Sequence, residues 1–314
     1  MTKTAVVAIG GNSLVRDKEH QTVPDQFASA EETCLHIADI IKEGWRVVVT
    51  HGNGPQVGFI LLRSELASNV LHTVPMDSCG ADTQGALGYM IQQLLANRLR
   101  RIEAELPVVT VVTQVVVDSD DPAFRNPTKP IGPFYDEDRA RHYQREQDWA
   151  ILEDAGRGWR RVVPSPIPKE IVELEAIRTL LAAGFVVVGV GGGGIPVVRD
   201  EQGDLHGVEA VIDKDYASGL LATGLEADLF LISTAVEKVY LNYGKPDQKP
   251  LDHLTVAEVR EYLDQGHFPP GSMGPKMRAV VQFLERGGQE VLITSPENLA
   301  RALRGETGTR ITLQ

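Results

Sequence analysis

Three glycine clusters each follow a short apolar run in this chain. Gly10-Gly11-Asn12 follows residues 5–9, Gly52-Asn53-Gly54 follows residues 47–50, and residues 191–194, all glycine, follow residues 185–190. Glycine at a strand end lets backbone N–H groups approach an anion with no Cβ in the way. A helix starting just behind adds partial positive charge. One such cluster reads equally well as a tight turn. Three after three strands read as a cradle for phosphate-like groups.

Lysines supply the matching charge. Lys214 lies in Ile212-Asp213-Lys214-Asp215, and Lys276 lies in Gly271-Ser272-Met273-Gly274-Pro275-Lys276. Both positions read as helix starts, where a cation opposes the helix dipole unless an anion is shared. Lys129 sits in the proline-stiffened stretch Asn126-Pro127-Thr128-Lys129-Pro130-Ile131-Gly132-Pro133. Phosphoryl transfer needs positioning and neutralisation of charge on the transferring oxygens more than covalent help. Lysines, backbone N–H groups and Mg²⁺ supply both. Asp213 and Asp215 could orient the lysines, hold Mg²⁺ through water, or simply cap the helix.

Other chemistries fit less well. There is no G-x-x-x-x-G-K-[ST] P-loop. Gly189-x-Gly191-x-x-Gly194 has the dinucleotide spacing, but Ile195-Pro196-Val197-Val198 follows where that fold needs a helix. The eight histidines show no metal-binding spacing, and His51, beside a glycine cluster, reads as structural. A nucleotide could sit along residues 233–240, with Tyr243 and Met273 as apolar surfaces for a base.

The elements that must position these groups alternate. Phe27, Ala30, Cys34, Ile37 and Ile41 mark one face of a helix that stops at Gly44. The spacing predicts strands over 47–50, 108–117, 185–190, 229–234 and 291–294, with a short last strand at 310–313. It predicts helices over 82–105, 171–183, 215–224 and 276–286, with Pro275 at the first helical position. Thr255 and Glu258 form a capping box, and Ser295-Pro296 starts a last helix. Unbroken apolar strands suit a parallel sheet covered on both faces, so the class is α/β. Residues 118–161 break the rhythm. They hold 18 charged residues yet six of the chain's 18 aromatics, which reads as a small inserted subdomain with its own core.

Composition agrees. The chain has 314 residues, a formal net charge of −12 and 42% hydrophobic content, which suits one or two globular domains and not a nucleic-acid binder relying on bulk charge. The two cysteines cannot build a disulfide framework and suit a reducing cytoplasm. No signal peptide or membrane-length apolar run is visible.

Taken together, these stretches resemble the amino acid kinase superfamily, and within it the carbamate kinases, over essentially the whole chain. The matching parts are Ala8-Ile9-Gly10-Gly11-Asn12-Ser13, residues 50–58, residues 126–135, Asp213-Lys214-Asp215, residues 234–238 with Gly244-Lys245-Pro246, and residues 271–276. The second lysine-bearing loop and the insert are the parts particular to carbamate kinases. The resemblance implies an open three-layer αβα sandwich with a mainly parallel eight-stranded sheet, a small inserted subdomain over 118–161, and a homodimer. Residues 1–225 would hold carbamoyl phosphate or carbamate, and residues 226–314 would hold ATP or ADP. The implied reaction is ATP + carbamate ⇌ ADP + carbamoyl phosphate, with Mg²⁺ arriving with the nucleotide and no metal ligand assigned on the protein. In arginine fermentation it would run toward ATP. Lys129, Lys214, Asp215 and Lys276 would be catalytic, and Gly10, Gly11, Asn12, Gly52, Asn53 and Gly54 would cradle the carbamoyl phosphate. Lys214, Ala235, Val236, Lys238, Tyr243, Met273, Gly274 and Lys276 would meet the nucleotide, with Lys129 acting from a mobile lid. No nucleic acid or membrane partner is implied. Two departures from the family pattern are Ser13, where alanine is usual, and Asp82-Thr83, where serine usually precedes Gln84. Another acyl-phosphate kinase on this fold, or a non-catalytic sensor, are the other readings.

Overall fold

The computed structural model describes residues 2–11, 14–15, 17, 19–153, 158–269 and 271–314. Its centre is an eight-stranded sheet. In spatial order the strands are His253–Thr255, Thr309–Thr312, Glu290–Thr294, Leu229–Ser233, Thr4–Ile9, Arg46–His51, Val186–Val188 and Val108–Thr110. All neighbouring pairs run parallel except Glu290–Thr294 with Thr309–Thr312.

Two-sided burial explains the unbroken apolar runs. Every residue of Thr4–Ile9 is buried. Val6 and Ala8 face one core with the helices Leu174–Ala182, Lys214–Gly224, Val256–Asp264 and Met273–Glu285. Ala5, Val7 and Ile9 face another with Val23–Lys42, Met76–Arg101 and Leu299–Leu303. Side chains alternate across a strand, so one apolar run feeds both layers. The result is an open three-layer αβα sandwich.

Several local expectations hold. Ala30, Cys34, Ile37 and Ile41 are buried on the first helix, and Phe27 packs half-buried beside them. Gly44 has φ +91°, and its N–H donates to the Ile41 carbonyl at 2.9 Å. Thr255 and Glu258 close a capping box over Val256–Asp264.

Others are corrected. Residues 108–117 do not form one strand. The chain leaves the main sheet after Thr110 and re-forms as Gln114–Val117 in a separate four-stranded sheet with Ile195–Arg199, Leu205–Gly207 and Pro168–Ile171. Gln84 makes the break, because its side chain accepts from Thr113 N–H at 2.7 Å and donates to the Thr113 carbonyl at 3.0 Å. The long helix begins at Met76, six residues early, and a helix over Gly54–Leu66 was not foreseen. Only Val186–Val188 of residues 185–190 is strand, since Val190 turns at φ +52° into the glycine run. Pro275 is the third residue of Met273–Glu285, not the first.

The inserted segment has its own small sheet. Lys129–Tyr135 pairs antiparallel with Trp159–Val163, which pairs with Ile151–Glu153. The helix Glu137–Gln147 lies with it. Tyr143 joins the rings of Tyr135 at 5.4 Å and Trp149 at 4.6 Å between centroids, which is the expected mini-core. Phe124 packs instead against the main core.

Candidate active site

The carboxyl ends of the parallel strands open into a cavity of about 640 Å³. It is lined by Gly10, Gly11, Gly52, Asn53 and Gly54 from the strand ends, with Gly192, Lys129, Asp213, Lys214, Asp215 and Lys276. The sheet edge therefore brings together residues up to two hundred and more positions apart, as open α/β sheets do for their ligands.

The charged centre is a carboxylate between two ammoniums. Asp215 Oδ1 accepts from Lys214 Nζ at 2.5 Å, and Asp215 Oδ2 accepts from Lys276 Nζ at 2.7 Å. Only 4% of the Asp215 side chain is exposed, against 13% and 15% for the two lysines. Burial alone would push the Asp215 carboxyl up, but the two ammoniums override it and hold it well below the usual carboxylate range. Burial pushes the Lys214 ammonium down, with Asp215 opposing and Lys276 reinforcing. At Lys276 burial acts the same way and is the largest single effect, but the charge and hydrogen bond of Asp215 together with the Asp213 charge outweigh it, and the net direction is up. The shared anion that the dipole argument required for these lysines is thus partly built in.

A second pair lies beside the first. Lys129 Nζ donates to Asp213 Oδ2 at 2.9 Å. Asp213 Oδ1 accepts from Asp215 N–H at 2.9 Å and so caps the helix Lys214–Gly224. Asp213 is therefore both a helix cap and the partner of the lysine on the inserted segment. The four groups Lys129, Lys214, Lys276 and Asp215 sum to a formal charge of +2, reduced to +1 by Asp213.

The glycines keep space open. A Cβ on Gly52 would lie 3.4 Å from both Gly11 N and Lys214 Cδ, so the Lys214 stem crosses directly over it. A Cβ on Gly10 would lie 3.2 Å from the Ser233 carbonyl, whereas on Gly54 it would meet nothing within 4 Å. None of these three has positive φ, so clearance is the reason for glycine at Gly10 and Gly52. Gly192 has φ +69°, and a Cβ there would collide with the Asn53 amide at 2.1 Å. The helix Gly54–Leu66 has no side-chain N-cap, leaving its first-turn N–H groups for a ligand.

Not every expected residue faces the cavity. Asn12 and Ser13 lie outside the described residues. Asn53 lines it, but its Nδ2 donates to Thr83 Oγ1 at 2.8 Å, which makes its side chain a brace. Thr83 supplies the same hydroxyl that serine would. His51 is fully buried; burial pushes its imidazole down to about 4, so the neutral ring donates from Nδ1 to the Gly52 carbonyl at 3.1 Å. Ala235 lines the cavity, whereas Val236, Lys238, Tyr243, Met273 and Gly274 do not. Lys238 pairs with Asp252. Tyr243, 61% exposed, meets Tyr240 of the hairpin Val239–Leu241 and Lys249–Leu251 with ring centroids 5.8 Å apart and planes tilted by 50°. Met273 is half-buried and packs against the main core. Gly274 is buried, its N–H donating to the Pro269 carbonyl at 2.9 Å.

Sequence reasoning missed Arg160, Ser29, Glu32, Thr33 and the Ser295-Pro296-Glu297 turn, all of which line the cavity. The turn follows a strand end, like the glycine clusters, and that position was the available signal. It also missed Gln84, which is 1% exposed and donates to the Gly191 carbonyl at 3.0 Å, fixing the third glycine cluster.

Asp215 has both oxygens committed to lysines, and Asp213 has both committed to Lys129 and a backbone N–H. That donor set suits a divalent ion carried on phosphate oxygens rather than one bound first by the protein.

Comparisons with known proteins agree with this geometry. The amino acid kinase family model matches residues 3–295. The carbamate kinase-like protein YahI of Escherichia coli K12 is 51% identical over 99% of this chain and 99% of its own length. The carbamate kinase of Thermococcus kodakarensis is 50% identical over 98% of this chain and 99% of its own. A solved structure of carbamate kinase from Giardia lamblia bound to AMP-PNP superposes with a TM-score of 0.92 at 43% identity, covering 99% of this chain and 98% of that one. With the parallel sheet, the glycine-lined edge and the lysine–aspartate centre in place, the chain belongs to the amino acid kinase family, among the carbamate kinases.

Proposed function

We propose that this protein is a carbamate kinase, transferring a phosphoryl group reversibly between carbamoyl phosphate and ADP. The observation that carries the reading is the Lys214–Asp215–Lys276 centre, buried at the end of a glycine-lined cavity and faced by Lys129. A fixed array of ammoniums and N–H groups stabilises charge that spreads over the transferring oxygens, without reorganising at the moment of reaction.

In this reading the strand-end loops at Gly10, Gly11, Gly52 and Gly54 hold the acyl phosphate in the 1–225 part. The 226–314 part holds ADP, with Ala235 and Lys276 nearest the phosphates. Lys214 and Lys276 flank the phosphoryl group as it leaves the carbamate oxygen for the terminal phosphate oxygen of ADP. Asp215 keeps the two ammoniums apart and aligned. Lys129, on the inserted lid over residues 118–161, leaves Asp213 to meet the incoming anion as the lid closes and excludes water. Mg²⁺ bound to the nucleotide phosphates supplies further neutralisation.

Among the described residues no helix is long and apolar enough to cross a membrane. Cys34 and Cys79 are buried free thiols, which supports a reducing cytoplasm. The sheet edge strand Val108–Thr110 and the exposed Val112 offer a surface for a homodimer.

The test is ATP formation from ADP with carbamoyl phosphate or acetyl phosphate as donor, with and without Mg²⁺. Fast Mg²⁺-dependent synthesis from carbamoyl phosphate, with acetyl phosphate far slower, supports the assignment. Preference for acetyl phosphate would move it to another acyl-phosphate kinase.

A further inference from the structure

The strand that carries Lys129 is held at both ends. Its near end is tied by Lys129 to Asp213 at 2.9 Å. Its far end, Tyr135, is tied to Glu65 on the helix Gly54–Leu66, whose first residue lines the active cavity. Tyr135 Oη donates to Glu65 Oε2 at 2.8 Å, and Tyr143 Oη and Arg139 Nη2 both donate to Glu65 Oε1. The Glu65 side chain is only 12% exposed. One carboxylate thus collects three donors, all from the inserted segment.

Between the two ties the helix and strand run close. A Cβ on Gly58 would lie 3.6 Å from Gly132 Cα, and Leu61 Cδ1 would lie 3.8 Å from a Cβ on Gly132. Beyond this contact the surfaces part around a second cavity of about 750 Å³, lined by Glu65, Ile131, Tyr135, Tyr143 and Trp149 among others. At that end the segment is fastened to the helix by direct hydrogen bonds to a charged group, which are stronger than neutral ones.

We propose that Glu65 is a positioning residue for phosphoryl transfer. It clasps the lid to the helix that starts at the substrate loop, and so sets where Lys129 stands when the site is filled. Glu65 does not line the catalytic cavity; it acts through the strand. This inference rests on the kinase reading for its catalytic consequence and on geometry alone for the clasp.

Two measurements separate those parts. Glu65→Gln keeps the shape and removes the charge. Hydrogen exchange over residues 129–135 should quicken about tenfold in this variant, since a charge-assisted tie is lost. Unchanged exchange overturns the clasp whatever the reaction proves to be. In ATP formation, Glu65→Gln should lower kcat/KM for carbamoyl phosphate about tenfold while KM for ADP stays within about twofold. In a Lys129→Ala background the same change should cost less than about twofold, because both substitutions act through one ammonium. An equal loss in both backgrounds overturns the positioning role. Tyr143→Phe removes one donor without emptying the aromatic cluster, and should fall between wild type and Glu65→Gln in both assays. A wild type that makes no ATP from carbamoyl phosphate defeats the kinase reading and leaves the exchange result to decide the clasp.

Discussion

Asp215→Asn is the sharpest perturbation of the charged centre, because it changes one charge and almost no volume. The native carboxylate stands 2.5 Å from Lys214 Nζ and 2.7 Å from Lys276 Nζ, with 4% of its surface exposed. Two unit charges 4 Å apart interact by about 4 kcal/mol at an effective dielectric of about 20, and these contacts are closer. Removing one member of a buried pair costs about 3–5 kcal/mol, since the partner is left buried and unpaired. Here two ammoniums are left, and they also repel each other. They relieve this by moving apart or by losing a proton, and either harms transfer. A displacement of about 1 Å at a reacting centre costs about 10²-fold in rate. Loss of one preorganised charge costs about 10²–10³-fold, and the displacement is part of that same loss, so kcat should fall about 10²–10³-fold. The proton loss has a definite sign. Burial already pushes the Lys214 ammonium down and Asp215 opposes it, so without Asp215 it falls further. The alkaline limb of the rate profile should therefore move to lower pH in the variant. The assay is initial-rate ATP formation from ADP and carbamoyl phosphate across pH, with circular dichroism to confirm folding. A variant within fivefold of wild type, with the same alkaline limb, would refute the argument.

Lys214→Ala and Lys276→Ala should each lower kcat about 10²–10³-fold, and a loss under about fivefold would remove that lysine from the mechanism. Gly193 has φ +96°, and a Cβ there would lie 2.3 Å from the Ile212 carbonyl; Gly193→Ala should cost about 2 kcal/mol or more in urea unfolding. His51 is held at about 4 from an ordinary 6.5. The unfolded chain therefore binds the extra proton first as pH falls, so the stability this group contributes is complete above pH 6.5 and is lost toward pH 4. That loss amounts to up to about 3 kcal/mol. Urea midpoints at pH 7.0 and pH 4.5 should differ accordingly, and His51→Gln should flatten the difference if it folds.

What the sequence revealed follows from the range of the interactions involved. The glycine clusters, the lysine-bearing helix starts and the capping box at Thr255 are local signals, and they fall at strand ends and helix starts in the fold. The break at Thr113 was hidden because Gln84, 29 residues away, makes it. In sequence those ten residues look like one apolar strand. The helix Gly54–Leu66 begins inside a glycine–proline stretch that reads as loop, although proline suits a first helical turn. Lys129 was legible as a lid cation, and Asp213 as a lysine partner or helix cap, but their pairing was not, since they lie 84 positions apart. Met273 and Tyr243 look alike as loop apolar residues, and only tertiary packing sets one half-buried against the core and leaves the other in solvent. Glu65 carried no local signal at all, because its donors come from a segment 70 to 78 positions downstream.

The central claim is that the phosphoryl group passes from carbamoyl phosphate to ADP at the Lys214–Asp215–Lys276 centre. Phosphorus NMR of carbamoyl phosphate, ADP and Mg²⁺ with the enzyme follows donor and product together. The account predicts that the donor signal decays as ATP signals grow in equal amount, and that Lys276→Ala slows both. Decay into inorganic phosphate with no ATP, or no decay with folded protein, would contradict it.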